Sequence, residues 1–336
     1  LILSGNSKPM SQRLIIDTDP GVDDALALIL ALRSPELRVE AITTVGGNVG
    51  LEQTTRNALR VLQLLNPIPR PVLARGSSPP ARKGVLRARS VHGKDGLGEL
   101  DRFQKPDGSP FYPEVQVPGD LPGATEVMTD LLDRYPEELL LVTLGPLTNL
   151  AALLKKSPEK ARRLKGVIVM GGAVSSPGNV TPAAEFNMYA DPEAAQRVLS
   201  SGLALMLVGL DVTRQVRLAR QDLARLPQEG EGPVVRFLKD STQKALEFME
   251  QREGISSMAL HDPLAVGVAI QPELVRTVSM HVEVETCGRI TCGMTVADRR
   301  PIKEQFKKAP NVQVALEVDT KGFLRLFKER ICPGWQ

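Results

Sequence analysis

The sequence predicts an α/β fold: an open, mostly parallel, Rossmann-like sheet flanked by helices, with extra strands and helices towards the C-terminal end. Three observations predict it. Residues 14–74 read strand-helix-strand-helix-strand, an order that implies parallel strands joined by right-handed crossovers. The strands are apolar runs rather than alternating ones, as expected where helices cover both faces of a sheet. Aromatics are 4% of a chain that is 42% hydrophobic, so the core must be mostly aliphatic.

The first strand is Leu14 to Ile16. It ends in Asp17, Asp19, Asp23 and Asp24, and the apolar run Ala25 to Leu32 then reads as a buried helix. The acids therefore sit at a strand-helix seam, where open parallel sheets bind ligands. Acids this close repel and raise one another's pKa values. A hard divalent cation, which prefers carboxylate oxygens, relieves that repulsion. Favourable placement at a helix N-terminus accounts for Asp23 and Asp24. It does not account for Asp17 and Asp19, which precede the Pro20-Gly21 turn.

The run Val39 to Val45 is a second strand, ending in Gly46-Gly47-Asn48. A helical period from Leu51 to Leu65 stops before Asn66-Pro67, and Pro71 to Ala74 is a third strand. Arg75 to Gly119 breaks the rhythm and reads as a long loop over the site, carrying His92. Ala124 to Tyr135 resumes as a helix. Leu139 to Leu144 is a strand ending in Gly145-Pro146, and a helix starts near Thr148-Asn149. Gly166 to Met170 is the next strand, followed by a polar loop over 178–187. Asp191-Pro192 opens a helix as N-cap and first-turn proline. Leu203 to Leu210 is a strand ending at Asp211. Gln221 to Glu253 reads as helical and charged, and His261-Asp262-Pro263 precedes an apolar helix over Leu264 to Ile270. Read alone, Asp262 is equally well an N-cap. Val278 to Val284, Thr291 to Ala297 and Val312 to Val318 alternate as strands before a final helix. Parallel strand ends share one edge, so Asp17, Asp19, Asn48, Leu144, Asn179, Glu185 and Asn187 can converge on one crevice.

The bulk numbers exclude several classes. The 336-residue chain has a formal net charge of +3. Its densest basic segment, Arg82, Lys83, Arg87 and Arg89, reads as a solvated loop, so nucleic acid is not an expected partner. No apolar stretch approaches the ~20 residues that span a bilayer. Leu1 to Gln12 has no apolar core of a secretory signal. Cys287, Cys292 and Cys332 have no metal-ligand spacing, and so sparse a count fits a reducing compartment, here taken as the cytosol. The expected organisation is one domain over 1–336: an ordered core at 13–331, an N-terminal extension at 1–12 and the loop at 75–119.

Asp17-Thr18-Asp19-Pro20-Gly21-Val22-Asp23-Asp24-Ala25 resembles the signature of the inosine-uridine-preferring nucleoside hydrolases. Val45 to Asn48, His92-Gly93, Leu144 to Asn149, Met170 to Gly172, Asn179 to Asn187 and His261 to Pro263 follow in that family's order, across roughly residues 14–270. The resemblance implies hydrolysis of the N-glycosidic bond of uridine- or inosine-type ribonucleosides to base and ribose. It implies a calcium ion held by Asp19, Asp24, the backbone oxygen of Leu144 and Asp262, with Asp17 supporting them. Asp19 would activate a calcium-bound water, with Asn48 positioning it. Asp23, Asn179, Glu185, Asn187 and Asp262 would hold the ribose, with Phe186 packed near the sugar. His261 would protonate the leaving base, and His92 would contact it. The family also implies a homodimer or homotetramer and a role in nucleoside salvage.

Two other readings use the same acids. A magnesium-dependent haloacid-dehalogenase phosphatase shares Asp17-x-Asp19, but would need Thr or Val where Gly21 stands. A non-catalytic nucleoside- or ribose-binding protein could keep Asp23, Asn179, Glu185 and Asn187, but has no need of Asp19. An EF-hand is excluded, because its twelfth-position glutamate would be Leu28. His281, in an alternating strand, reads as structural.

Overall fold

The structure is a computed structural model describing residues 11–80, 88–226 and 232–335. Residues 1–10 of the N-terminal extension, and Arg82, Lys83 and Arg87 of the basic segment, lie outside the described residues. The strands are β1 (Gln12–Thr18), β2 (Leu37–Thr44), β3 (Val72–Arg75), β4 (Leu140–Thr143), β5 (Gly166–Met170) and β6 (Leu205–Val208). They continue as β7 (Arg217–Ala219), β8 (Ser257–Ala259), β9 (Val275–Met280), β10 (Val282–Val284), β11 (Thr295–Ala297) and β12 (Val312–Val318). The helices up to β6 are α1 (Val22–Leu32), α2 (Leu51–Leu65), α3 (Arg89–His92), α4 (Ala124–Arg134), α5 (Thr148–Lys156), α6 (Pro158–Ala161), α7 (Phe186–Ala190) and α8 (Pro192–Leu199). After it come α9 (Leu210–Thr213), α10 (Arg220–Ala224), α11 (Pro233–Glu253), α12 (His261–Ile270) and α13 (Thr320–Ile331).

Eight strands form one sheet in the order β3-β2-β1-β4-β5-β6-β12-β9. All neighbours pair in parallel except β12 and β9. The strand order reverses between β1 and β4, the switch point at which open sheets leave a crevice. Both faces are covered. Leu14 and Ile16 enter one aliphatic core, shared with α1, α2, α12 and α13, and Ile15 between them enters the other, shared with α4, α5 and α8. The period of two along the strand thus feeds both layers. Helix α1 is buried along nearly its whole length, so its sequence is apolar all round rather than striped.

Several sequence expectations move. Leu203 to Leu210 is shorter as a strand, ending at Val208, because Leu210 begins the helical turn α9. The segment from Gln221 to Glu253 holds two helices, α10 and α11, with residues 227–231 outside the described set. The strand expected over 278–284 is two strands, β9 and β10, and residues 291–294 form a turn ahead of β11. The long loop is not irregular throughout: it holds α3 and a short 3-10 turn at Leu100–Arg102. Beyond Gly93 it packs against helices: Arg56 and Arg60 of α2 donate to the carbonyls of Val115 and Pro113, and Tyr112 donates to Asp240 of α11. Its described part touches the cavity only through Ala88 and Ser90 to His92. Asp191 does cap α8, accepting from Ala194 N at 3.2 Å.

Candidate active site

Four carboxylates meet at the switch point, and among the described residues no Lys or Arg pairs with them. Asp17 is the last inward residue of β1. Its Oδ1 accepts from Thr43 Oγ1 at 2.6 Å and Asn149 Nδ2 at 2.7 Å, while its buried Oδ2 has no partner. Burial outweighs those bonds and pushes the carboxyl up to about 6. Asp19 Oδ2 accepts from Asn48 N at 2.6 Å, and its Oδ1 is buried without a partner. Asp24 opens α1: Thr18 Oγ1 donates to its Oδ1 at 2.5 Å, and Gly21 N and Asn48 Nδ2 donate to its Oδ2 at 3.0 and 3.1 Å. Burial raises the pKa values of Asp19 and Asp24, and neighbouring carboxylates raise them further. Burial alone holds Asp23 near 6.

Asp262 completes the cluster from the far side. It is not the N-cap that Pro263 suggests. Helix α12 begins at His261 with Leu260 in the cap position, and Asp262 lies inside the first turn, buried. Its pKa rises through burial first and then through the charges of Asp23, Asp24 and Asp19. Oxygens of Asp23, Asp24 and Asp262 all lie within 4.8 Å of one another. Of the expected carboxylate ligands Asp19, Asp24 and Asp262, this close group holds Asp24 and Asp262, with Asp23 beside them, while Asp19 Oδ2 accepts from Asn48 N. Three converging carboxylates, and the partnerless Asp19 Oδ1 beside them, fit a hard divalent cation.

Two glycines cradle Asp19. A Cβ on Gly47 would lie 2.0 Å from Asp19 Oδ2, and one on Gly145 would lie 2.4 Å from Asp19 Oδ1. Gly145→Ala is therefore expected to displace the carboxylate and lower kcat by roughly 100-fold, the scale of a 1 Å misplacement. A variant with wild-type kcat would show that Asp19 is not held by this contact.

The cluster opens into a cavity of about 710 Å³. Asp23, Asn48, His92, Leu144, Asn179, Glu185, Phe186, Asn187, His261 and Asp262 all line it, whereas Asp17, Asp19 and Asp24 are not among its lining residues. The polar loop expected over 178–187 ends in structure: Glu185 caps α7, accepting from Gly172 N, Asn187 N and Met188 N. Those bonds use most of its acceptor capacity. Asn179 Oδ1 accepts from Phe186 N, so its amide NH2 remains for a ligand. Asn187 Nδ2 donates to Leu144 O at 2.7 Å and Met170 O at 3.1 Å, which turns its own oxygen to other partners.

Both cavity histidines are neutral. Val22 N donates to His92 Nδ1 at 3.1 Å, so the His92 proton sits on Nε2. Asp23 Oδ1 is 3.9 Å from that Nδ1, but an unprotonated nitrogen makes no ion pair. Burial lowers the His92 pKa to about 4. His261 Nδ1 contacts Thr213 Oγ1 at 2.8 Å, and burial, then Arg214 and Arg217, lower its pKa to about 3. His281 is remote, with Nδ1 against Ala309 O.

Sequence reading missed part of the lining: Arg214, Arg217, Phe248, Met249, Arg252, Glu253 and Met258. These sit on α11, on the small antiparallel pair β7-β8 and on the turns beside them, which carry no motif. Asn149 and Thr43 were also missed as partners of Asp17, although Asn149 lies in a quoted motif.

Comparison with known proteins agrees with this geometry. The family profile described as inosine-uridine preferring nucleoside hydrolase matches residues 14–325. The pyrimidine-specific ribonucleoside hydrolase RihA of Citrobacter koseri is 39% identical over 325 residues, covering 96% of this chain and 98% of that one. RihA of Escherichia coli O7:K1 is 40% identical over 323 residues, covering 96% and 99%. Among solved structures, the plant nucleoside hydrolase PpNRh1 superposes with a TM-score of 0.83 at 33% identity, covering 96% of this chain and 99% of that one. The purine-preferring ribonucleoside hydrolase of Gardnerella vaginalis gives 0.81 at 34%, covering 95% and 98%. With the matched region spanning the sheet, the acidic cluster and the cavity, the chain belongs to the inosine-uridine preferring nucleoside hydrolase family and is a ribonucleoside hydrolase.

Proposed function

We propose that this enzyme hydrolyses pyrimidine ribonucleosides, uridine foremost, to free base and ribose, with calcium as its metal. The observation that carries the reading is the convergence of Asp23, Asp24 and Asp262, with the partnerless oxygen of Asp19 behind them, at the floor of a nucleoside-sized cavity. The base preference rests on the 39–40% identity to pyrimidine-specific relatives. A cytosolic location and a homodimeric or homotetrameric assembly belong to the same reading and rest on the family resemblance and the sparse cysteines.

Asp19, Asp24, Asp262 and the Leu144 carbonyl would hold the cation, with Asp23 close enough to join them. Bound there, a hard cation supplies Lewis-acid polarisation of water and sugar hydroxyls. The chain's own groups do the rest. Asp19 Oδ1, with no hydrogen-bond donor of its own, takes the proton of the attacking water. Asp17, fixed by Thr43 and Asn149, keeps the end of β1 in place. Asp23, Asp262, the Asn179 amide and the Asn187 oxygen orient the ribose hydroxyls, with Glu185 shaping their loop. Carboxylates around the sugar also stabilise the positive charge that builds at its anomeric carbon. With Nδ1 engaged by Thr213 Oγ1, His261 would turn Nε2 to the departing base, and His92 presents its own Nε2–H.

Incubation with uridine should release ribose and uracil without phosphate, and chelation should stop it. Tight uridine binding with no ribose release would favour a binding protein instead. His261→Ala should slow uridine hydrolysis by roughly 100-fold, the scale of a general acid, and slow a p-nitrophenyl riboside far less. Equal losses on the two substrates would remove His261 from leaving-group departure.

A further inference from the structure

The cavity lining carries both signs of charge. Its carboxylates Asp23, Glu185 and Asp262 come from the first turn of α1, the cap of α7 and the first turn of α12, and Glu253 from the end of α11. Its guanidiniums Arg214, Arg217 and Arg252 come from the end of α9, from β7 and from the end of α11. Arg217 donates from Nε to Ser257 Oγ at 2.8 Å and from Nη2 to Ser257 O at 2.7 Å. Arg214 donates to Ser176 Oγ at 3.0 Å and Gly178 O at 2.6 Å. Every one of these acceptors is neutral, so the bonds aim the guanidiniums without cancelling their charge. Glu253 and Asp211 are the acids near Arg214, and Asp211 is occupied by the backbone N–H groups of residues 174–176. Arg252 is exposed, with Phe248 under its guanidinium, and is less fixed. His261 lies beside Arg214 and Arg217.

We propose that Arg217, aided by Arg214, stabilises the departing nucleobase as an anion, both arginines lining the cavity beside His261. This deepens the reading given above and rests on it. When the C1′–N bond breaks, its electron pair stays on the base nitrogen. In uracil that charge spreads to the ring carbonyl oxygens, which guanidinium N–H groups bind well. The sugar keeps the positive charge, among the carboxylates proposed to hold its hydroxyls. Water adds hydroxyl to C1′ and yields its proton to Asp19, and the base anion takes up one proton from solvent. Nucleoside and water thus give ribose and neutral base, with no oxidant or reductant. Two guanidiniums supply positive charge at the base end.

The test is single-turnover hydrolysis of 5-fluorouridine, uridine and 5-methyluridine by the calcium-loaded enzyme. The three leaving bases are successively weaker acids, so each needs more help to depart as an anion. Arg217→Met should lose about 100-fold on 5-methyluridine and less than about tenfold on 5-fluorouridine, the larger loss being that of a removed charge-stabilising donor. Arg217→Lys should recover most of the rate, because it keeps the charge. Ser257→Ala, which only loosens the anchor, should steepen the dependence on base acidity in the same direction and to a smaller extent. That variant and Arg217→Lys decide the matter should Arg217→Met fold poorly. A uniform loss on all three substrates, a lysine variant no better than methionine, or unchanged rates would each overturn the proposal while leaving nucleoside hydrolysis intact. Wild-type enzyme that hydrolyses none of the three would overturn the functional reading, and this inference with it.

Discussion

Asp19→Asn should lose roughly a thousandfold in kcat on uridine while melting no lower than the wild-type protein. The catalytic half of that expectation follows from the removal of a general base, which contributes on the order of 10²–10⁴-fold. The stability half follows from the site. Asp19 is fully buried, with one oxygen held by Asn48 N and the other unpartnered among carboxylates. An asparagine keeps an oxygen for the Asn48 N–H and puts an NH2 where the orphaned oxygen was. It is isosteric with aspartate, so Gly47 and Gly145 accommodate it as they do the acid. It removes one charge from a group whose members raise each other's pKa values. Measuring kcat by reducing-sugar release and Tm by calorimetry on metal-free protein separates the two effects. Near wild-type turnover would remove Asp19 from the general-base role. A much lower Tm would show that the carboxylate is structural.

Stripping divalent cations should abolish turnover and lower Tm, calcium should restore both, and the rise in Tm on adding calcium should be larger at pH 8 than at pH 5. The sign comes from the carboxylates themselves. Asp17 and Asp23 sit near 6 in the folded chain against 3.8 as model groups, so between those values the folded protein binds more protons than the unfolded chain. Their favourable contribution is full below about pH 4 and is lost as pH rises through about 6. For Asp17 alone that is a loss of about 3 kcal/mol by pH 8, at 1.36 kcal/mol per pKa unit. A bound cation offsets the same repulsion and adds about 2.7 kcal/mol when free calcium is a hundred times its Kd. At pH 5 protons already neutralise part of the cluster and compete with the ion. Thermal melts of chelator-treated protein at both pH values, with and without calcium, test this. A calcium effect that is absent, or larger at pH 5, would argue against a cation among these carboxylates.

The acidic turn was legible in the sequence because its residues are local. Asp17 and Asp19 follow a strand, Pro20-Gly21 turns the chain, and Asp23-Asp24 open a helix, all within a span that a strand-helix seam dictates. The parallel order of the first strands was legible for a similar reason: apolar runs, helical periods and turn residues alternate in register. Asp262 was harder. A His-Asp-Pro sequence before an apolar helix looks like a cap, and only the helix start at His261 with Leu260 as cap turns Asp262 inward. Glu185 shows the opposite case. Read as a sugar ligand, it is also the N-cap of α7, with three backbone N–H groups on its carboxylate.

The arginine wall was not legible at all. Arg214, Arg217 and Arg252 lie in stretches whose composition is that of any solvated surface, and nothing in their spacing marks them. Their aim is set by single carbonyls and hydroxyls at Ser176, Gly178 and Ser257, contacts that depend on where α9, β7 and β8 pack. What the sequence determined by itself was therefore the chemistry available at the end of the first strand, and the sheet that would present it, because periodicity and turn residues act over a few neighbours. What the tertiary structure decided was which distant groups face that turn. It brought Asp23 and Asp24 together with Asp262 from more than two hundred residues away, and set arginines and carboxylates in the lining of one cavity. Those placements follow from packing eight strands and their helices into two shared cores, where burial and charge are fixed by neighbours in space.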